Sequence, residues 1–289
     1  MGAGVGNHAL GFIRIAAVIK QSWQRKILAP AMSACAIAIF AVPAAWAADF
    51  TARDVTLQFH KAAPSARVDF SGKDLTNLDL AGLDFKAAIM AKANLYGADL
   101  SSANLKGTDL SGARLDRAIV SRADFTGANM AGASFLRPSI YTSLDYDPAE
   151  TPKFVNANLK GAILIARLDG ADFSGANLEG ATIGPANAAD DTLVTRSSRM
   201  IATNFTGANL SGAVFRFVDF SYGRFAGANL AGASLMGANL AKADLTGADL
   251  TGANLSGSNL DGANLKGVKG LETVTGLASV RNLDKAIRE

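Results

Sequence analysis

The side chains that could carry out chemistry are few, and no known catalytic spacing groups them. His60 is the single histidine after residue 47, and no serine or cysteine nucleophile is tied to it by a motif. Residues 145–147 and Glu150 supply oxygen ligands, but they lack the glycine and the full spacing of an EF-hand loop. We therefore predict no catalytic residue, no cofactor and no metal ion, and we interpret the protein as non-enzymatic.

A larger set of polar side chains recurs at intervals of five residues, as at Asp74, Asp79 and Asp84. Glycines recur at the same interval and do not open a helix, so they do not form a phosphate-binding loop. We interpret the regular Asp and Asn residues as a solvated outer surface on which stacked polar ladders can form. Their arrangement depends on the elements that carry them.

A hydrophobic period of five residues identifies those elements. Every fifth residue from Phe205 to Leu265 is Leu or Phe. The same period runs from Phe70 to Ile140, and it resumes out of phase at Phe154 and again at Leu168. A period of five fits neither a helix, with 3.6 residues per turn, nor a long strand, with a period of 2.

Each unit of five is consistent with a short strand followed by a turn. Ala238 and Leu240 would point inward while Asn239 points outward, and Ala241 and Lys242 would form the corner. Glycine is frequent at the second corner position, where its backbone freedom is useful. Four such turns would close a coil of about 20 residues, with successive coils ~4.8 Å apart.

The interior of such a coil is narrow, and the sequence follows this restriction. An alanine precedes most of the large inward residues by two positions, as Ala238 precedes Leu240. Phe215, Phe220 and Phe225 occupy consecutive inward positions, and we interpret them as core filling.

The tandem A-[DN]-L-[ST]-G units resemble the pentapeptide repeat family over roughly residues 68–267. The resemblance implies an all-β fold, a right-handed quadrilateral β-helix in which the repeats form a solenoid. Its repeat residues are structural, and family members differ in function. Some are DNA mimics that protect topoisomerases such as gyrase, and some dimerise end to end.

Short helical caps are predicted at both ends, because a β-solenoid exposes unpaired edges there. Residues 48–67 form the N-terminal cap, with an amphipathic helix over residues 54–63. Residues 268–289 form the C-terminal cap, with helical spacing over residues 277–288 and Thr275 as its N-cap. The C-terminal cap is also a candidate homodimer contact.

Two loops interrupt the period, near residues 141–153 with about nine extra residues and near residues 184–202 with about seventeen. Loops on a rigid scaffold often carry recognition, although insertions without a role are also tolerated. Aromatic residues and arginines dominate interface energetics, which is the basis on which single candidates are chosen. The candidate interaction residues are Tyr141, Tyr146, Asp147, Arg196 and Arg199.

Residues 1–47 do not fit the repeat and have the organisation of a secretory signal peptide. Four basic residues precede an apolar stretch from Ile27, which ends in an A-x-A site before the predicted cleavage between Ala47 and Ala48. We therefore expect a periplasmic or secreted protein. An uncleaved inner-membrane anchor is the alternative, and Cys35, the only cysteine, lies in a weak lipoprotein box.

The net charge of +3 belongs to this leader, which holds 4 of the 28 basic residues and none of the 25 acidic ones. The remaining chain has 24 basic and 25 acidic residues, a formal charge of −1. This balance supports neither nucleic-acid binding nor the strong acidity of a DNA mimic. We expect an exported structural or protein-interaction scaffold with an unidentified protein partner. A gyrase-interacting DNA mimic is the alternative.

Overall fold

The computed structural model describes residues 49–63, 66–140, 150–184 and 198–289. They form a right-handed quadrilateral β-helix preceded by one α-helix, as the sequence predicts. The predicted signal peptide and its cleavage site at Ala47 and Ala48 lie outside the described residues. In the described part of the chain, no helix is long and apolar enough to cross a membrane.

Four parallel ladders join the coils, and each defines one face of the β-helix. In the regular part, paired residues are twenty positions apart, as in Asp69 with Ile89 and Asp74 with Asn94. This confirms the predicted coil length. We number the faces by their first outward residues, from face 1 to face 4: Asp69, Asp74, Asp79 and Asp84.

Most ladder contacts are single bridges, because each side of the coil holds only about three extended residues. Two longer strands occur on face 2, β1 (Ser134–Leu136) and β2 (Ile163–Ile165), and they pair in parallel. Leu75 N–H donates to the Asn94 carbonyl at 2.8 Å, which shows how coils are joined.

The interior is filled by the residues that the period predicts. Leu240 and Ala238 are both fully buried, and the same is true of the large residue on nearly every side. The interpretation of Phe215, Phe220 and Phe225 as core filling is confirmed, since all three are fully buried. A Cβ at Gly223 would lie 2.8 Å from the Phe225 ring, so this coil uses glycine where others use alanine.

Face 4 contains a stack of phenylalanine rings inside the coil. Neighbouring ring centroids are 4.5 to 5.1 Å apart, and the interplanar angles are at most 14°. Such offset contacts stabilise a core beyond the area they bury. The stacked residues are Phe125, Phe154, Phe173, Phe205 and Phe225.

The outward Asn and Asp residues form hydrogen-bonded ladders, so they are structural as well as polar. Asn129 Nδ2 donates to Asp109 Oδ1 at 3.0 Å, and Asn158 Nδ2 donates to Asn129 Oδ1 at 2.9 Å. The Ser71 hydroxyl and backbone N–H hold the pKa of Asp69 below its ordinary value of 3.8. Asn239, predicted to be exposed, is half-buried because it belongs to such a ladder.

The N-terminal cap contains the predicted helix, here α1 (Ala52–Lys61). It begins two residues earlier than predicted because Thr51 and Asp54 form a capping box. Val55 and Phe59 are buried, and the Phe59 ring lies 5.5 Å from that of Phe85. The helix therefore covers the open end of the first coil.

The predicted C-terminal helix over residues 277–288 is wrong. The segment continues the β-helix as one last coil, in which Thr275, Arg281 and Ile287 pair with the preceding coil. Its three 3₁₀ turns are Leu271–Thr273, Leu277–Ser279 and Leu283–Lys285. Units of six residues place apolar side chains three positions apart, which imitates helical spacing.

The first interruption has the predicted number of extra residues, but the chain has rejoined the β-helix by Glu150 rather than after residue 153. The second interruption is shorter than predicted. Asp124 pairs with Lys153, twenty-nine residues away, so this coil holds nine extra residues. Arg167 pairs with Arg199, thirty-two residues away, so that coil holds twelve extra residues rather than about seventeen. The period resumes one unit early because Met200 is a fully buried inward residue.

Candidate interaction surface

The corners of the coil differ in the type of residue that takes the left-handed backbone conformation. At the second position of a corner φ is positive, as at Gly132 with φ of 66°. An L-residue in this conformation costs roughly 1–2 kcal/mol, so glycine is favoured. Between faces 1 and 2 glycine occupies every such position except Lys92: Gly72, Gly112, Gly132, Gly161, Gly180, Gly212, Gly232 and Gly252.

The corners on either side of face 3 break this rule with bulky residues. Arg117, Arg137 and Phe217 take the left-handed position between faces 2 and 3, with φ of 58°, 51° and 60°. Arg122 and Tyr222 do so between faces 3 and 4, with φ of 59° and 60°. Strained backbone retained without a structural gain is a reason to suspect a functional role.

Face 2 departs from the polar ladder over the same coils. In six consecutive coils its outward residues are neither Asn nor Asp: Arg114, Ser134, Ile163, Thr182, Val214 and Ser234. The same six coils keep the ladder on face 1: Asp109, Asn129, Asn158, Asn177, Asn209 and Asn229. Face 3 departs in four of these coils, at Ile119, Ser139, Arg167 and Arg199, and face 4 departs in two, at Lys153 and Arg224. Face 2 is the face that departs in all six.

These departures define one continuous strip, which we call the arginine surface. It comprises outward residues of face 2 and of its corner with face 3 from the coil of Asn94 to the coil of Val214, six coils that span about 24 Å at the usual coil spacing. Its members are Tyr96, Arg114, Arg117, Leu136, Arg137, Ile163, Ile165, Val214, Arg216 and Phe217.

The arginines of this surface differ in their partners. Arg114 Nε donates to Asp116 Oδ2 at 2.8 Å, and its guanidinium lies 4.6 Å from the centre of the Tyr96 ring. Arg117 and Arg137 are exposed, and within the described ranges neither forms an ion pair. The surface therefore holds positive charge that the described chain does not neutralise.

Exposed apolar side chains accompany that charge. Ile163 and Phe217 on this surface are 44% and 39% exposed, and Tyr222 at the next corner is 55% exposed. Only two other large hydrophobic residues in the described part are comparably exposed, one at each end of the β-helix. A Cβ on Gly237 would collide with the Phe217 ring, so this ring lies flat over the next coil.

Two buried carboxylates hold the chain where it re-enters the β-helix after each interruption. Glu150 is 5% exposed, its carbonyl accepts from Arg122 N–H at 2.8 Å, and its carboxylate pairs with Arg122. Asp169 is 4% exposed and accepts from Arg199 Nε at 2.7 Å. Both interruptions leave from corners of face 3, beside the arginine surface.

The comparison with known families explains which residues are repeat residues and which are departures. Eight copies of the family model for pentapeptide repeats match residues 69–107, 103–135, 153–183, 198–235 and 233–269. These ranges cover more than half of the chain. The chain belongs to the pentapeptide repeat family. No curated protein sequence matches it.

Solved structures of other pentapeptide repeat proteins resemble this one. HetL, involved in heterocyst differentiation regulation in the cyanobacterium Nostoc sp. strain PCC 7120, is 25% identical; the match covers 82% of this chain and 94% of HetL, with a TM-score of 0.45. Rfr23 from the cyanobacterium Cyanothece 51142 is 25% identical over 43% and 91%, with a TM-score of 0.30. A trypsin-treated form of QnrB1, a plasmid-mediated fluoroquinolone resistance protein, is 19% identical over 77% and 90%, with a TM-score of 0.30.

The five interaction residues predicted from the sequence fall into two groups. Tyr141, Tyr146, Asp147 and Arg196 lie outside the described residues. Arg199, predicted to be in a loop, is instead a ladder residue on face 3, paired with Arg167 and Asp219. The predicted loop over residues 184–202 is corrected accordingly, because the chain rejoins the β-helix at residue 198.

The sequence analysis missed the arginine surface, although the repeat contained a signal for it. Arg117, Arg137 and Phe217 stand where most pentapeptide units have glycine. A search of the second corner position for large residues would have found all three. Their left-handed backbone and their shared side of the β-helix become evident only from the structure.

No three His, Cys, Asp or Glu side chains of the described residues are grouped so that they could hold a metal ion. His60 is exposed on α1, as expected of a cap residue. What the arrangement can do is present fixed positive charge and apolar side chains on a rigid, flat surface.

Proposed function

We propose that this pentapeptide repeat protein is an exported, non-enzymatic scaffold that binds a protein partner through the arginine surface. The observation that carries the proposal is the difference between two neighbouring faces, face 1 and face 2. The same six coils keep a regular ladder on face 1 and lose it on face 2. Bulky residues in left-handed corners occur beside face 3, where both interruptions begin.

The composition of this surface favours a protein as the partner. Arginines and aromatic residues are enriched in protein interfaces and often carry most of the binding energy. Here Arg117 and Arg137 share the surface with exposed Ile163 in the next coil and with exposed Phe217 three coils beyond Arg137. The ladders fix the backbone before binding, so little conformational entropy is lost on association.

The filled interior supports a role other than catalysis. Substrate sites are concave and enclose most of the ligand. The space inside this coil is instead occupied by fully buried Leu, Phe and Ala side chains. Export is proposed from the leader alone, through its basic region, apolar stretch and A-x-A site at residues 45–47.

The charge of the arginine surface disfavours the alternative of a DNA mimic. A mimic of DNA must present exposed carboxylates in a row, whereas this surface presents guanidinium groups. Its one carboxylate, Asp116, is 7% exposed and is engaged by Arg114. End-to-end pairing through the last coil remains a proposal, supported by Ile287, which is 48% exposed there.

Affinity capture of the exported protein from the periplasmic fraction tests the proposed function. The test variant combines Arg117→Glu, Arg137→Glu and Phe217→Ser. The matched control combines Arg53→Glu and Arg224→Glu, which change exposed arginines elsewhere. We expect one protein to co-purify with the wild type and the control and to be lost from the test variant. Equal capture by the control and the test variant, or a wholly cytoplasmic location, would contradict the proposal.

A further inference from the structure

One end of the arginine surface contains a pocket of about 360 Å³. It lies at the corner between face 2 and face 3, where Arg117 and Arg137 take the left-handed position in two consecutive coils. Its lining residues are Tyr96, Arg114, Asp116, Arg117, Leu136, Arg137 and Ile165. Three guanidinium groups and one carboxylate give it a formal charge of +2.

A buried carboxylate holds one wall of this pocket in place. Asp116 Oδ1 accepts from the Leu136 backbone N–H at 3.0 Å and from the Ser134 hydroxyl. Its other oxygen accepts from Arg114 Nε at 2.8 Å, which fixes the guanidinium against the Tyr96 ring. Arg114 is thereby neutralised and oriented, and it serves as a wall of the pocket.

Arg117 and Arg137 supply the free charge. They occupy the same position in consecutive coils, about 4.8 Å apart along the axis. Each keeps a backbone conformation that glycine would adopt without strain, and neither has an ion-pair partner among the described residues. A single guanidinium group can donate two parallel hydrogen bonds to one carboxylate, so each of these two free groups offers a site for an acidic side chain.

The remaining walls are apolar. The Tyr96 ring, Leu136 and Ile165 are half-buried around the pocket, and exposed Ile163 lies beside it. A ligand that fills this space must therefore combine an anionic group with an apolar one, as an acidic protein segment does. A nucleic acid or polyphosphate chain carries charge without apolar side chains, and face 2 continues below the pocket with Asn94 and then the carboxylate of Asp74.

We propose that this pocket binds an acidic residue of the partner protein, within a segment that also places an apolar side chain against Tyr96 and Leu136. This proposal rests on the proposed function and adds the chemical class of the contact. The acidic side chain would bind between Arg117 and Arg137, while Arg114 stays paired with Asp116.

Fluorescence anisotropy with a defined probe tests the proposal on the full-length exported protein. The probe is a labelled peptide, Gly-Ser-Leu-Glu-Phe-Glu-Ser-Gly, and its matched control has both glutamates replaced by glutamine. We expect the wild type to bind the glutamate peptide about tenfold more tightly than the glutamine peptide, since charge-assisted bidentate contacts are lost in the second. The double variant Arg117→Gln/Arg137→Gln should lose this preference, and Arg53→Gln/Arg224→Gln should keep it.

Three results would overturn the proposal: no measurable binding of the glutamate peptide, equal binding of both peptides, or a preference that survives in the Arg117→Gln/Arg137→Gln variant. Tighter binding of heparin than of the peptide, with mutual displacement, would assign the pocket to a polyanion instead. The two proposals can fail separately. If the pocket does not bind the peptide but the partner is still captured through Phe217, the proposed function stands and the pocket proposal fails. Thermal melting of each variant confirms that it is folded.

Discussion

Arg117 and Arg137 occupy the same corner of consecutive coils, and the Arg117 backbone N–H donates to the carbonyl of Leu136, the residue before Arg137, at 2.8 Å. Both have a left-handed backbone, with φ of 58° and 51°. The pair adds side chains and positive charge at positions where other corners have glycine. Their conformation therefore opposes stability, which is one basis of our proposal that these side chains bind a partner.

The first prediction concerns Arg137→Gly. Glycine relieves a left-handed conformation that costs roughly 1–2 kcal/mol, and its extra freedom in the unfolded chain offsets roughly 0.5–1 kcal/mol of that gain. We expect the melting temperature to stay equal or to rise, while partner binding weakens. The control, Gly132→Arg, places the same side chain at the neighbouring glycine corner, between faces 1 and 2, and should lower stability by about 1 kcal/mol. A clear loss of stability in Arg137→Gly would mean that this guanidinium supports the fold.

The second prediction concerns Asn239→Asp. Asn239 Nδ2 donates to Asp219 Oδ1 at 3.0 Å and to Ser221 Oγ at 2.7 Å. An aspartate there would face the Asp219 carboxylate and lose both donated bonds, so we expect a loss of about 1–2 kcal/mol at neutral pH. Repulsion raises the pKa of the new carboxyl, so the loss should shrink as the pH falls and that carboxyl is protonated.

Asn209→Asp is the matched control, because its ladder neighbours, Asn177 and Asn229, are both amides. Chemical denaturation at neutral and acidic pH measures both variants. Equal losses at the two sites would show that repulsion by the Asp219 carboxylate is not the source of the effect. Leu240→Asp, inside the coil, should cost several kcal/mol, since it buries an unpaired charge.

The third prediction concerns the last coil. Gly276 has φ of 76°, and a Cβ there would lie 2.6 Å from the Cα of Ser256. Gly276→Ala should therefore lower stability by about 3 kcal/mol, combining left-handed strain with overpacking. Gly252→Ala is the control, with φ of 67° and open space around its Cβ, and should lose only about 1 kcal/mol. Thermal melting distinguishes them, and similar losses would argue against the close packing of the last coil.

The fourth prediction concerns the two interruptions. Deleting residues 141–149 or residues 186–197 removes the nine or twelve extra residues and restores the five-residue spacing. We expect both proteins to fold as β-helices, with circular dichroism spectra like that of the wild type. Deleting residues 186–200 also removes the buried Met200 and the ion-pair partner of Asp169, so it should lower stability by several kcal/mol. A well-folded 186–200 deletion would contradict the corrected boundary.

The sequence predicted the repeating part of the fold because one physical rule, a large inward residue every fifth position, applies to every side. It missed the unit at Met200, since Ser198 and Arg199 precede it where alanine and an Asn or Asp are usual. It also misread the last coil, whose six-residue units begin at Gly270, Gly276 and Asn282. Apolar residues three apart satisfy a helix and a six-residue coil equally well, so only hydrogen bonding separates them.

The candidate site was predicted less well, for a different reason. Aromatic residues and arginines in loops attract attention as binding residues, which led to Tyr141, Tyr146 and Arg196. The arginine surface instead uses repeat positions, where the evidence of function is a departure from glycine or from Asn and Asp. That departure has meaning only when the four faces are known and the residues can be assigned to one side.

Site-specific photo-crosslinking in one coil tests the central claim most directly. Ala202, Gly207, Gly212 and Phe217 occupy the four corners of that coil, and all four are exposed with a left-handed backbone. A photoreactive amino acid is placed at each in turn in the exported protein, and adducts are compared in the intact cell. If the arginine surface is the binding site, we expect a strong adduct at position 217 and none at positions 207 and 212. The adduct at position 217 should be lost in the Arg117→Glu/Arg137→Glu variant. Equal adducts at all four corners, or an adduct at Gly212 alone, would contradict it.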